Sequence, residues 1–243
     1  MGHSRSADAR LDLAGTLDGM RRMAPLCLFV IAFGLAFGVA AVQRGLSELE
    51  ALLMSALVFA GASQFAALEL WGPEIPLVAL IASTFAINAR HLLMGASLYP
   101  WLRDLPPRQR YLSMSVMSDS NWAMAADDYR RGVRNVGMLI GGGIALWLAW
   151  LLGTLLGVLF GSGITEPERY GLDVIMGCFL LSMLVGGARS LTILIPWSVA
   201  AIAALIAVYW LPPHSHVVVG ALAGGLAGMG LPTEKKRDRE PTS

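Results

Sequence analysis

The sequence predicts an all-α, polytopic integral membrane protein. Three observations carry that expectation. Of 243 residues, 56% are hydrophobic and 14% charged, and the mean hydropathy is +0.61, a balance unlike that of a soluble globule. Apolar runs of about twenty residues recur along the whole chain, the length that crosses a hydrocarbon core about 30 Å thick. Most arginines and lysines fall between or beyond those runs.

Residues 1–23 read as a polar tail carrying Arg5, Arg10, Arg21 and Arg22, which places the N-terminus in the cytoplasm by the positive-inside tendency. Residues 24–42 form the first span, too long for the apolar stretch of a cleaved leader. Gly34 and Gly38 stand in small-xxx-small spacing there, suited to close helix contact. In the connection RGLSELE (44–50), Ser47 can cap the next helix with Glu50 as its capping-box partner. The second apolar run, 51–71, contains FAGASQF, with Gly61, Ala62 and Ser63 followed by Gln64. Two readings stand. The small residues pack against a neighbour while Gln64 bonds across it, or the helix is unwound here and opens backbone groups to a cavity.

Residues 76–101 organise the chain. The run is uncharged for fourteen residues and then places Asn88, Arg90 and His91 inside an apolar helix. Thr84, Asn88, His91 and Gly95 share one helical face, so a polar seam runs down a membrane helix, and an arginine there must face protein or water. A basic, proline-broken loop (103–110) follows. Residues 111–128, YLSMSVMSDSNWAMAADD, are too polar to face lipid, and they carry Asp119 and Asn121. A second basic loop occupies 129–134.

In the second half, residues 135–160 form a span, with Gly153, Gly157 and Gly161 four apart at its end. Spans at 171–187, 191–211 and 217–231 follow, the last with Gly220, Gly224 and Gly228 on one stripe. A basic tail, 232–243, returns to the cytoplasm, so a single membrane domain covers 24–231 between two cytoplasmic tails. VFAGASQ (58–64) is echoed by LVGGARS (184–190), which suggests two weakly similar halves with helix breaks at Gly61 and at Gly186–Gly187, the latter followed by Arg189. Six to eight crossings are expected. Keeping both tails and both basic loops inside requires one early segment to be re-entrant; otherwise 111–128 crosses and one loop breaks the charge tendency.

Composition and motifs exclude several classes. No phosphate-cradling GxxxxGK[ST], no HExxH, no GxSxG and no zinc spacing occurs, so no ATP site, cofactor or metal is expected. A net charge of +1 without a basic, aromatic-laced patch gives no reason to expect nucleic acid. Cys27 and Cys178 sit alone in apolar runs as packing residues. What remains is a polar interior set: Ser63, Gln64, Asn88, Arg90, His91, Asp119, Asn121 and Arg189. Amides and a guanidinium hold a carboxylate, and His or Asp can carry a proton. The set suits a small zwitterionic or anionic solute. Each member could equally serve as hydrogen-bonded glue between helices.

These residues resemble the AzlC family, the large subunit of two-component branched-chain amino-acid exporters. The resemblance rests on RGLSELEALLMSALVFAGASQF (44–65), NARHLLMGASL (88–98), SDSNWAMA (118–125) and GSGI (161–164). It implies a transporter that exports valine, leucine or isoleucine together with a small AzlD-type membrane subunit. Gln64, Asn88, Arg90, His91 and Asp119 occupy motif positions. Where many members carry a threonine–aspartate–glutamate run, this chain has Ser118-Asp119-Ser120, which puts coupling and substrate choice in doubt. The leading expectation is a secondary exporter in the bacterial inner membrane, working by alternating access and not as an enzyme. The other is a structural or assembly subunit whose polar residues only join helices.

Overall fold

The computed structural model describes residues 9–161, 181, 194–211 and 215–229. Gly186, Gly187 and Arg189 lie outside them, so the second expected helix break does too. Two compact units are present, Met1–Glu74 with Ile87–Met176, and Ile75–Ala86 with Gly177–Ser243. Every regular element among the described residues is a helix. Three of these are long and apolar enough to cross a membrane: Leu13–Gln43, Leu77–Leu102 and Gly137–Gly161.

The first unit is built on two helices, α1 (Leu13–Gln43) and α8 (Gly137–Gly161). Helix α1 starts eleven residues before the expected span, because Asp12 caps it by accepting from the Gly15 N–H at 2.8 Å. That bond and one from Asn135 hold the exposed Asp12 carboxyl below its ordinary pKa. The helix of the first span thus extends into the segment read as tail, from Leu13. Two backbone bonds, Arg10 N–H to Arg134 O and Val136 N–H to Arg10 O, both 2.9 Å, tie the starts of α1 and α8 together. From there the helices run parallel: Gly19 lies on Gly137 and Met138, Gly34 on Gly153, Gly38 on Gly157. A Cβ on Gly34 would come within 2.7 Å of the Trp150 carbonyl oxygen, so the two backbones touch directly.

Helices α2 (Glu48–Val58) and α3 (Gly61–Glu69) form a hairpin entering from the far end of α1. The capping box of Ser47 and Glu50 starts α2 as expected. Ser55 then bonds Thr154 at 2.9 Å and Trp147 Nε1 donates to the Ala56 carbonyl at 3.1 Å, so α2 descends along α8. At Phe59 the chain turns through the left-handed region (φ 38°, ψ 48°), and Ala60 is non-helical (φ −142°, ψ 76°). Helix α3 climbs back along α1. Gly61 lies against Phe33, Phe65 packs on Phe33 and Phe37 at 5.1 and 5.5 Å, and Glu69 reaches Arg44 at 3.3 Å. The structure combines parts of both sequence readings: the helix is broken, while Gly61 packs on Phe33 and Gln64 bonds across to Ser55. The turn falls at Phe59–Ala60, just before the glycine. Helices α2 and α3 thus enter and leave by one end of the α1–α8 pair, the path a re-entrant segment would take.

The path Leu77–Leu102 is α4 (Leu77–Asn88) and α5 (Arg90–Leu102), joined at Ala89. The end of α5 returns to the starting end of α1, where Trp101, Leu102 and Leu105 pack with Ala9, Met23 and Val136 in one core cluster. Helices α6 (Pro107–Ser115) and α7 (Asp119–Arg130) make a second hairpin from that end. Its tip at 116–118 reaches α8, where Gly143 lies against the Val116 carbonyl. Its base closes on α1 through Arg22, which donates to both carboxylate oxygens of Asp128 at 2.7 and 3.0 Å. Residues 111–128 thus enter and leave by one end, with Ser113, Met117, Asn121, Ala125 and Asp128 buried and the rest partly or fully exposed.

The second unit contains an antiparallel pair, α9 (Leu194–Trp210) and α10 (His216–Met229). Gly220 meets Ala200 and Ala204, and Gly224 meets Pro196 and Ala200, so the expected glycine stripe is the contact line.

Candidate functional site at two hairpin tips

Each hairpin ends with a helix N-terminus at its tip, α3 in the first and α7 in the second, and such ends carry partial positive charge and N–H groups without intrahelical acceptors. The α4–α5 junction is tied to both. Asn88 Nδ2 donates to Ser63 Oγ at 3.1 Å on the first tip, and Arg90 Nη2 lies 3.1 Å from Asp119 Oδ2 on the second. Ala89 keeps helical angles, but the Leu92 N–H bonds Ala89 O at 3.1 Å, a tightened turn. His91 Nδ1 folds back onto the Asn88 carbonyl at 3.2 Å, which requires the proton on Nδ1.

Behind the first tip runs a buried hydroxyl–amide chain. Thr154 meets Ser55, and Gln64, with 0% of its surface exposed, donates from Nε2 to Ser55 Oγ at 3.3 Å. Ser63 returns its own hydroxyl to Ala60 O at 2.9 Å. No side chain caps α3. Three buried polar atoms here make no hydrogen bond: Gln64 Oε1, Asn88 Oδ1 and Arg90 Nε. Native structures leave few such atoms unpaired, and each costs about 1–3 kcal/mol without a partner. Two acceptors and one charged donor are thus unpaired close to the uncapped start of α3.

Gly61 seats this arrangement on an aromatic group. Phe33 packs on Phe65 and Trp150 at 5.1 and 5.2 Å, and Phe37 lies 5.6 Å from Trp150. A Cβ at Gly61 would meet both Phe33 and Trp150 at 3.2 Å. The apolar wall is therefore in van der Waals reach of the α3 N-terminus.

Asn121 behaves differently from its neighbours. It is fully buried, its Oδ1 accepts from the Ser118 N–H and hydroxyl, and its Nδ2 donates to the carbonyls of Val116 and Leu139 at 2.9 and 2.7 Å. Every bonding position is filled, so it fastens the second tip to α8. The structure thus brings together Ser63, Gln64, Asn88, Arg90, His91 and Asp119 and sets Asn121 behind them. Reading the sequence missed Ser55 and Thr154, although each is a lone hydroxyl in an apolar run, and also the aromatic wall.

A family model described as AzlC protein matches residues 25–164, which include both hairpins and the junction between them. The chain belongs to the AzlC family. Similar proteins include the inner membrane protein YgaZ of Escherichia coli, 28% identical over 153 residues covering 62% of each chain. An uncharacterized membrane protein of Archaeoglobus fulgidus is 34% identical over 138 residues, 57% of this chain and 59% of that one. The branched-chain amino acid transport protein AzlC of Bacillus subtilis is 26% identical over 162 residues, 66% of this chain and 63% of its own length. The chain thus spans about three fifths of the length of these relatives. No solved structure matches it. This AzlC-family chain is a helical membrane protein, as its sequence predicts.

Proposed function

We propose that this AzlC-family chain is the transporter subunit of a branched-chain amino-acid exporter in the bacterial cytoplasmic membrane. It works by alternating access, together with a small AzlD-type membrane partner, and carries out no covalent chemistry. One observation carries the reading: Gln64 Oε1, Asn88 Oδ1 and Arg90 Nε are buried without partners beside the contacts of Asn88 with Ser63 on the first tip and of Arg90 with Asp119 on the second. Arg90 and the uncapped N-terminus of α3 hold the substrate carboxylate, as helix ends hold anions generally. The aliphatic side chain lies toward Phe33, Phe65 and Trp150. The printed name of the Bacillus relative supports the substrate class, and that of the Escherichia relative supports the membrane.

The test is leucine efflux from cells preloaded with a leucine-containing dipeptide. Deleting this chain with its small partner should abolish efflux, and Arg90→Ala should abolish it at normal protein abundance. Unchanged efflux after the deletion would overturn the proposal. A variant that simply fails to accumulate would favour the structural-subunit reading instead.

A further inference from the structure

Two ion pairs join the second hairpin to the rest of the first unit, and they are built differently. Arg22 and Asp128 meet through two hydrogen bonds, at 2.7 and 3.0 Å, with the Asp128 side chain 8% exposed. That pair is closed: opening it would strand a buried carboxylate. Arg90 and Asp119 meet through one contact of 3.1 Å, with side chains 33% and 31% exposed. Arg90 Nε, in the same guanidinium, is buried and unpaired. Opening this second pair breaks one contact between two partly exposed side chains.

We propose that the Arg90–Asp119 pair is the zwitterion receptor of the site, with Asp119 as the residue that recognises the substrate ammonium. This rests on the amino-acid reading given above and assigns Asp119 a part in it. A zwitterion carries one charge of each sign on a single carbon, so it can enter between the two side chains and give each a new partner. Its carboxylate takes the Arg90 guanidinium, including Nε, and its ammonium takes the Asp119 carboxylate. The Asn88 and Gln64 oxygens supply neutral acceptors beside it. Both charges are compensated before and after, so neither protein group, each about two thirds covered, loses its ionic partner. A solute with a carboxylate but no ammonium takes Arg90 and strands Asp119. A solute with an ammonium but no carboxylate strands Arg90. The pair therefore selects α-amino acids over both.

Asp119 sits in the first turn of α7, whose N-cap Ser118 and capping-box partner Asn121 stay intact when Asp119 changes. Asp119→Asn keeps the size and removes the charge. The readout is binding of leucine and of 4-methyl-2-oxopentanoate, its ammonium-free analogue, to the full chain purified together with its small partner. Wild type should prefer leucine, and Asp119→Asn should shrink that preference about tenfold to hundredfold, the usual worth of one charged hydrogen bond. Taking the ratio cancels the effect of freeing Arg90, which both ligands share. Asp119→Glu should restore much of the preference. A preference unchanged in Asp119→Asn, with leucine still bound, would overturn the assignment of Asp119 and leave the amino-acid reading standing. If the variant does not accumulate, wild type alone decides: binding the oxo acid as tightly as leucine would overturn it. Absence of leucine binding to wild type would overturn the amino-acid reading and this inference with it.

Discussion

Replacing Asn121 by alanine should destabilise the protein without touching what it binds. The side chain makes four hydrogen bonds: it accepts two from Ser118 and donates one each to the carbonyls of Val116 and Leu139. At about 1 kcal/mol net each the loss is about 4 kcal/mol. At the average of about 0.6 kcal/mol measured between membrane helices it is about 2.4 kcal/mol. For a chain of this size that corresponds to about 5–15 °C in melting temperature. The site also has no water to take over, since Asn121 is fully buried. The assay is a thermal melt of purified protein beside leucine affinity at a temperature where the variant is folded. Lower melting with unchanged affinity is expected. A variant that melts like wild type but has lost leucine would refute the assignment of Asn121 to structure, and with it the logic that separated it from Arg90.

Arg22→Met should destabilise by about 1–3 kcal/mol, less than a fully buried pair because Arg22 is 35% exposed, while adding Asp128→Leu should recover most of that loss; additive losses in a double-mutant cycle of melts would show the pair to be uncoupled. Gly38→Val should cost about 1–3 kcal/mol or more, since even a Cβ would lie 2.9 Å from the Gly157 Cα, whereas Gly225→Ala, with nothing within 4 Å, should be neutral or slightly stabilising. Equal melting temperatures for those two variants would contradict the backbone contact of α1 with α8.

Much of the site could be read from the sequence, because polar residues in apolar runs have few reasons to be there. Asn88, Arg90 and His91 announced themselves in this way, and Ser63 and Gln64 did so beside a glycine. The turn itself was harder. Residues 51–71 have the length of a full span, and what converts a span into a hairpin is one left-handed residue, Phe59, a type that composition never marks for that conformation. Residues 111–128 posed the opposite problem: their polarity ruled out lipid, but only the packing of Met117 and Ala125 in the core and the bonds of Asn121 show that one face of the segment is held against the other helices. The pairing of Arg90 with Asp119 spans 29 positions and two hairpin geometries, so no local pattern could reveal it. Residues 18, 21 and 22 are charged, so the apolar pattern gave no sign that the helix of the first span begins as early as Leu13. Asp12 and the strap to Arg134 and Asn135 make them helix.

The contact of α1 with α8 also restricts how such a protein can change shape. Backbone lies on backbone from Gly15 to Val39, and sliding one helix by a single residue would set a side chain where only hydrogen fits. The two helices therefore act as one fixed mast. In the alternating-access cycle proposed above, the motion must therefore come from the hairpins hung on that mast, bending at Phe59–Ala60 and at 116–118.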